Sequence, residues 1–217
     1  TTLPDLGEVD VEIVGYEQWL PEGNWQDPAS PGNRLRIKAR VKAIGNGTTL
    51  TKARFTFKLE SSKERGVCLN WPMQGASQEE DLQFRKEDNP NLDPSISPTE
   101  AKTRDLVDRT EAVIACFDYG AHGKLKVTAE DKDGKPLKVT FHGQDKATIA
   151  IPKSEEGGHI ADAWKAAKGA TGLTDTWDEA VIPLQDATGD GMQLYAKYRG
   201  VVVLEGGARK YLRLPPR

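Results

Sequence analysis

Leu35-Arg36-Ile37-Lys38-Ala39-Arg40-Val41 alternates one apolar side chain with one cation along its whole length. In an extended chain successive side chains point to opposite faces, so this stretch buries Leu35, Ile37, Ala39 and Val41 and leaves its cations in water. The same period recurs to either side, in Val9, Val11 and Ile13, in Phe55, Phe57 and Leu59, and in Ala112 to Phe117. It continues in Leu125 with Val127, in Leu137, Val139 and Phe141, and in Ile149 with Ile151. Gly45-Asn46-Gly47 and Asp133-Gly134-Lys135-Pro136 supply turn chemistry between runs, the second suited to a tight hairpin. Short alternating strands with almost no helical period predict a mainly β unit over residues 1–151, an antiparallel β-sandwich of immunoglobulin-like type.

Two regions break the pattern. From Glu79 to Asp108 polar and proline residues crowd around Leu82 and Phe84, which reads as a long surface excursion from the sandwich. Beyond Pro152 the period lengthens. Ile160, Ala163, Trp164 and Ala167 follow helical spacing up to Gly169, and Leu194, Tyr195 and Tyr198 do so up to Gly200. Thr174 to Glu179 begins like a short helix, and Val201 to Leu214 like a hairpin turning at Glu205-Gly206-Gly207. A second unit, helical with a terminal hairpin, is therefore expected over 152–217.

Composition narrows the function classes. A formal net charge of -3 and a pI near 5.7 argue against a general nucleic-acid or anionic-membrane binder, since both need a basic surface. No apolar run approaches the roughly 20 residues of a membrane-spanning helix. The cysteines, Cys68 and Cys116, either pair, contributing about 4 kcal/mol on the chain-entropy view, or are two buried thiols. Neither lies in a CxxC pattern, and no HExxH, GxSxG, P-loop or GxGxxG occurs.

Asp186-Ala187-Thr188-Gly189-Asp190-Gly191-Met192 has the spacing of a calcium loop of the EF-hand kind. Such loops place oxygens at positions 1, 3, 5, 7, 9 and 12, with glycine at 6. Asp186, Thr188, Asp190 and the Met192 carbonyl fit positions 1, 3, 5 and 7, but Lys197 stands at 12, where an ammonium would repel the ion. Upstream, Ser154 as position 1 puts Glu156 at 3, Ile160 at 7, Asp162 at 9 and Lys165 at 12. Both loops thus keep an apolar residue at 7 and a lysine at the closing position.

Ser154 to Lys165 and Gly189 to Gly200, with the upstream Ala112 to Gly123, resemble segments of large secreted bacterial proteins in which an immunoglobulin-like domain precedes an EF-hand-like calcium brace. The resemblance implies an extracellular or cell-surface, non-catalytic structural or binding module, a fragment of a longer chain continuing past Arg217. It also implies weak or vestigial calcium binding, at the roughly 10⁻⁴ to 10⁻³ M typical of extracellular modules. The partner would be a protein or a glycan. Trp19 and Trp25, clustered with Tyr16 beside Pro21 and Pro28, offer an alternative as a glycan-stacking face of a secreted hydrolase's accessory region. A further alternative is an enzyme whose acid/base pair is hidden among the many carboxylates. The histidines His122, His142 and His159 are scattered along the chain, and Asn46-Gly47-Thr48 matches a glycosylation acceptor.

Overall fold

A computed structural model describes residues 7–42, 52–72, 79–155, 157–177 and 189–217, and all statements below concern these. The Gly45-Asn46-Gly47 turn, the acceptor triplet Asn46-Gly47-Thr48 and the loop residues Glu156, Asp186 and Thr188 lie outside them.

The opening stretch lies in strand β2 (Asn33–Val41), whose apolar residues are buried to a man while its cations face outward. It is the third strand of a five-stranded sheet ordered β4-β6-β2-β1-β8, with β1 (Glu8–Ile13), β4 (Leu82–Phe84), β6 (Arg109–Cys116) and β8 (Lys138–Phe141). A four-stranded sheet is ordered β5-β3-β7-β9, from β3 (Arg54–Ser61), β5 (Glu100–Lys102), β7 (Gly123–Glu130) and β9 (Ile149–Ile151). Val9, Val11, Ile37 and Ile114 of the first sheet and Phe55, Phe57, Leu125 and Val127 of the second share one core. Each such side chain contributes about 1.5–3 kcal/mol by leaving water. The chain is thus mainly β, with two sheets packed across a common core.

Two expectations about the sandwich need correction, and the open question of the cysteines is answered. The polar stretch 79–108 is not a surface excursion throughout. It carries edge strands of both sheets, β4 beside β6 and β5 beside β3, and sends Leu82, Phe84 and Leu92 into the core. Asn89, 4% exposed, fastens it by bonding Arg85 and Val113 through its side-chain amide. The sandwich is also not wholly antiparallel, because β8 pairs with β1 in parallel. Asp133-Gly134 does turn the chain, and Leu137 still donates to Ala129, but β8 then leaves β7 for the other sheet. Pro136 faces Glu130 where the flanking bonds are donated by Asp131 and Leu137, so its missing N–H costs the turn nothing. Finally, Cys68 and Cys116 are both free and buried, so no disulfide joins them.

After the cis peptide Ile151-Pro152 come two short helices, α1 (Asp162–Lys168) and α2 (Leu194–Arg199). These are the helices described in the segment, so an EF-hand pair, with a helix on either side of each loop, is not what the described residues form. Thr174–Trp177 makes turns. The hairpin is as expected: β10 (Val201–Glu205) and β11 (Ala208–Leu212) meet at Gly206-Gly207, both at positive φ. Among the described residues no helix is long and apolar enough to cross a membrane.

Candidate functional site

Trp164 of α1 and Tyr198 of α2 meet edge to face, with ring centroids 5.3 Å apart, and gather Ile160, Ala161, Ala170 and Leu194 into a small second core. That packing turns one lysine of each helix inward. Lys165 and Lys197 are each only 2% exposed. An ammonium so placed must find acceptors or lose its charge. Lys165 Nζ donates to the Leu173 carbonyl at 2.7 Å and to Glu155 Oε2 at 3.3 Å. Lys197 Nζ lies 2.8 Å from Asp190 Oδ2. Both carboxylates are held below their usual range, Glu155 by the Gly172 amide and then Lys165, Asp190 by its bond to Lys197.

Other loop oxygens among the described residues also serve the protein itself. Asp162 Oδ1 accepts from the Glu155 amide at 2.8 Å, and the Ser154 hydroxyl donates to the Gly158 carbonyl at 2.9 Å. Asp190 Oδ1 accepts from the Met192 amide at 3.1 Å. Gly191 has φ 85°, as position 6 requires, whereas the first loop turns at Gly157, position 4. The free amides at the start of α2 are taken by Trp177 and Asp175 carbonyls, not by the first loop. The described loop oxygens are thus engaged by ammonium and amide donors, whereas a divalent ion needs six to eight oxygens converging on it.

This segment is pinned to the end of the sandwich. Asp118, just past β6, is fully buried and receives Arg199 of α2 through three contacts of 2.6–3.0 Å. Gly120 is required between them, since a Cβ there would come within 2.9 Å of the Arg199 side chain. Burial pushes the Asp118 carboxyl up to about 6 against the pull of Arg199, so it is ionised at neutral pH. Asp81 is pushed up to about 7 by burial and by the Asp118 charge, while accepting from the Ser62 hydroxyl and the Glu64 amide. Among the described residues this is the one pair of interacting carboxylates with raised values, and sequence could not pick it out. Asp118 is sealed from substrate, whereas Asp81 lines a cleft of about 460 Å³ with Glu64 and Arg85.

Two histidines from distant sequence also meet here. His122 stacks on His159 with centroids 3.9 Å apart, and Tyr195 donates to the Gly120 carbonyl beside them. Burial, then His159, holds His122 below its usual value. His142, at φ 48°, instead accepts from the Ile13 amide.

The tryptophans singled out by sequence do not form one face. Trp19 packs against the main core, while Trp25 belongs to a separate cluster with Val67, Cys68, Tyr119 and Val202 and meets Trp71 edge-on. Trp71 in turn lies under the Arg209 guanidinium at 4.7 Å.

No protein-family model matches the chain, and no curated protein does. Several solved structures are distantly similar. The human F-spondin reeler domain shares 12% identity over 67% of this chain and 89% of its own, with a TM-score of 0.34. Cep-1, the C. elegans ortholog of p53, shares 8% identity over 76% of this chain and 95% of its own, at 0.38. A cohesin module from a Clostridium perfringens family 33 glycoside hydrolase shares 7% over 70% and 98%, at 0.26. Likenesses at these scores carry no functional argument.

Proposed function

We propose that the chain is a non-catalytic structural and binding module of an extracellular protein. An immunoglobulin-like sandwich offers the binding surface, and its C-terminal segment holds the end of the chain at a fixed angle. The observation that carries this reading is the stitching of that segment to the sandwich. Arg199 reaches the buried Asp118, and Arg213 donates to the carbonyls of Pro21, Tyr119 and Tyr198. Leu214 donates to the Lys197 carbonyl, and Arg217 to that of Gly189. Residues 213, 214 and 217 are thus tied back onto the fold, which suits a brace more than a hinge. The resemblance in sequence supports the extracellular placement.

The test is orientational. A small fluorescent reporter domain fused directly after Arg217 should tumble with the whole molecule in time-resolved anisotropy. In the Arg213→Met variant it should gain a fast local component. A reporter that moves independently on the unaltered chain would sink the brace reading.

A further inference from the structure

We propose that this module carries its own cation: the ammonium groups of Lys165 and Lys197 stand in for calcium in the two loops, so that the brace forms without metal. In a calcium loop of this kind the residues at positions 5 and 12 share one ion, whose charge draws them together. Here position 12 reaches position 5 directly. Lys197 Nζ bonds Asp190, the position-5 carboxylate, at 2.8 Å. In the first loop position 5 is Gly158, and a Cβ built there would lie 3.9 Å from Lys165 Nζ, so that ammonium too sits over the fifth residue of its own loop.

The chemistry matches on both sides. Each side chain is almost wholly buried, on the helix that supplies Trp164 or Tyr198 to the small core, and delivers one positive charge to loop oxygens. An ammonium has three donors and no acceptor, so it bonds carboxylate and carbonyl oxygens as a hard cation does, with fewer of them. Lys165 uses Glu155, at position 2, and the Leu173 carbonyl outside the loop, so the first loop has rebuilt its shell around a smaller coordination demand. A calcium ion brought to either loop would meet a buried like charge within contact distance. Two loops with the same substitution and the same inward ammonium are more than the decay of one metal site.

The inference goes beyond the proposed bracing role, and its failure would leave the Arg199 clamp intact. The test is thermal unfolding of the full chain with EDTA or with about 5 mM calcium, above the roughly 10⁻⁴ to 10⁻³ M range of extracellular calcium modules. The unaltered protein should melt at the same temperature in both, and a rise of several degrees with calcium would overturn the proposal. Lys165→Gln and Lys197→Gln, which keep stem and polarity but remove the charge, should each lower the midpoint by about 2–4 °C. No change in either would overturn it as well. Lys197→Glu should melt lower in EDTA and recover with calcium, and indifference to calcium would show that the loop oxygens do not converge on a cation. If a variant fails to fold, amine acetylation of the unaltered chain still decides. Lys165 and Lys197 should react at least about tenfold more slowly than the exposed Lys132, and equal rates would overturn the proposal.

Discussion

The molecule closes cation on carboxylate in two different ways at its C-terminal end. In the clamp, Asp118 is wholly out of water and Arg199 nearly so, their side chains 0% and 6% exposed. In the loops each buried ammonium faces a carboxylate that is open to solvent, Glu155 at 41% and Asp190 at 42%. A sealed pair gains strongly from its attraction but loses hydration on both sides, so removing one partner is far costlier than the pair's net worth. A half-open pair keeps water on its anion and is correspondingly weaker. The difference separates two jobs, one fixing the segment to the sandwich and the other only shaping each loop.

The comparison breaks most easily at the clamp. Arg199→Met should cost about 3–5 kcal/mol in urea unfolding, because it strands the Asp118 charge in the interior. Asp118→Leu should cost about as much. The double variant should be clearly less destabilised than the sum, since no buried charge is then left alone. Additive losses would mean that the two side chains do not act as one unit.

The next effect is a pH dependence confined to the sealed end. Asp81 holds its proton up to about pH 7 in the folded chain, whereas an unfolded aspartate releases it near pH 4. The folded state therefore binds more protons across that window. Stability contributed by Asp81 is complete below about pH 4 and is lost as pH rises through about 7. Asp118, pushed up to about 6, acts in the same sense, while His122, held low by burial and His159, opposes it below about pH 6.5. Asp81→Asn isolates the first contribution. The stability gap between this variant and the parent should shift by about 2 kcal/mol from pH 5 to pH 8, in the variant's favour at pH 8. A constant gap would show Asp81 to be solvated, and the end of the sandwich to be open.

The two kinds of site also differ in how much of them sequence reveals. The long strands declare themselves because one face must enter the core, as Leu35, Ile37 and Ala39 do. β4 and β5 do not, since three residues are too few for a period and each sits in polar sequence at a sheet edge. Lys165 and Lys197 were visible as a contradiction, cations where an anion belongs. Asp190, the partner of Lys197, stood in the ligand pattern, but the partners of Lys165 did not, because it uses a backbone carbonyl and a glutamate one place away from that pattern. Asp118–Arg199 joins residues far apart in a chain of 33 acidic and 30 basic residues. Its one local signal was a lone charge closing the apolar run Ala112 to Phe117, two residues before a glycine. The contact itself depends on how α2 lies against the sandwich, which no local pattern encodes.

Salt gives the smallest effect and the sharpest division between the two kinds of pair. At 1 M ionic strength the screening length falls to about 3 Å, so a carboxylate in water is shielded at the distance of its own partner. Lys197→Gln, expected to cost about 1 kcal/mol at low salt, should cost measurably less in 1 M sodium chloride, because Asp190 is reached by the added ions. The Arg199→Met penalty should be unchanged, since no ion can approach Asp118. Comparing each variant with the parent at the same salt cancels the general effect of salt on apolar burial. If the Lys197 penalty survives high salt, the loop is as closed to ions as the clamp.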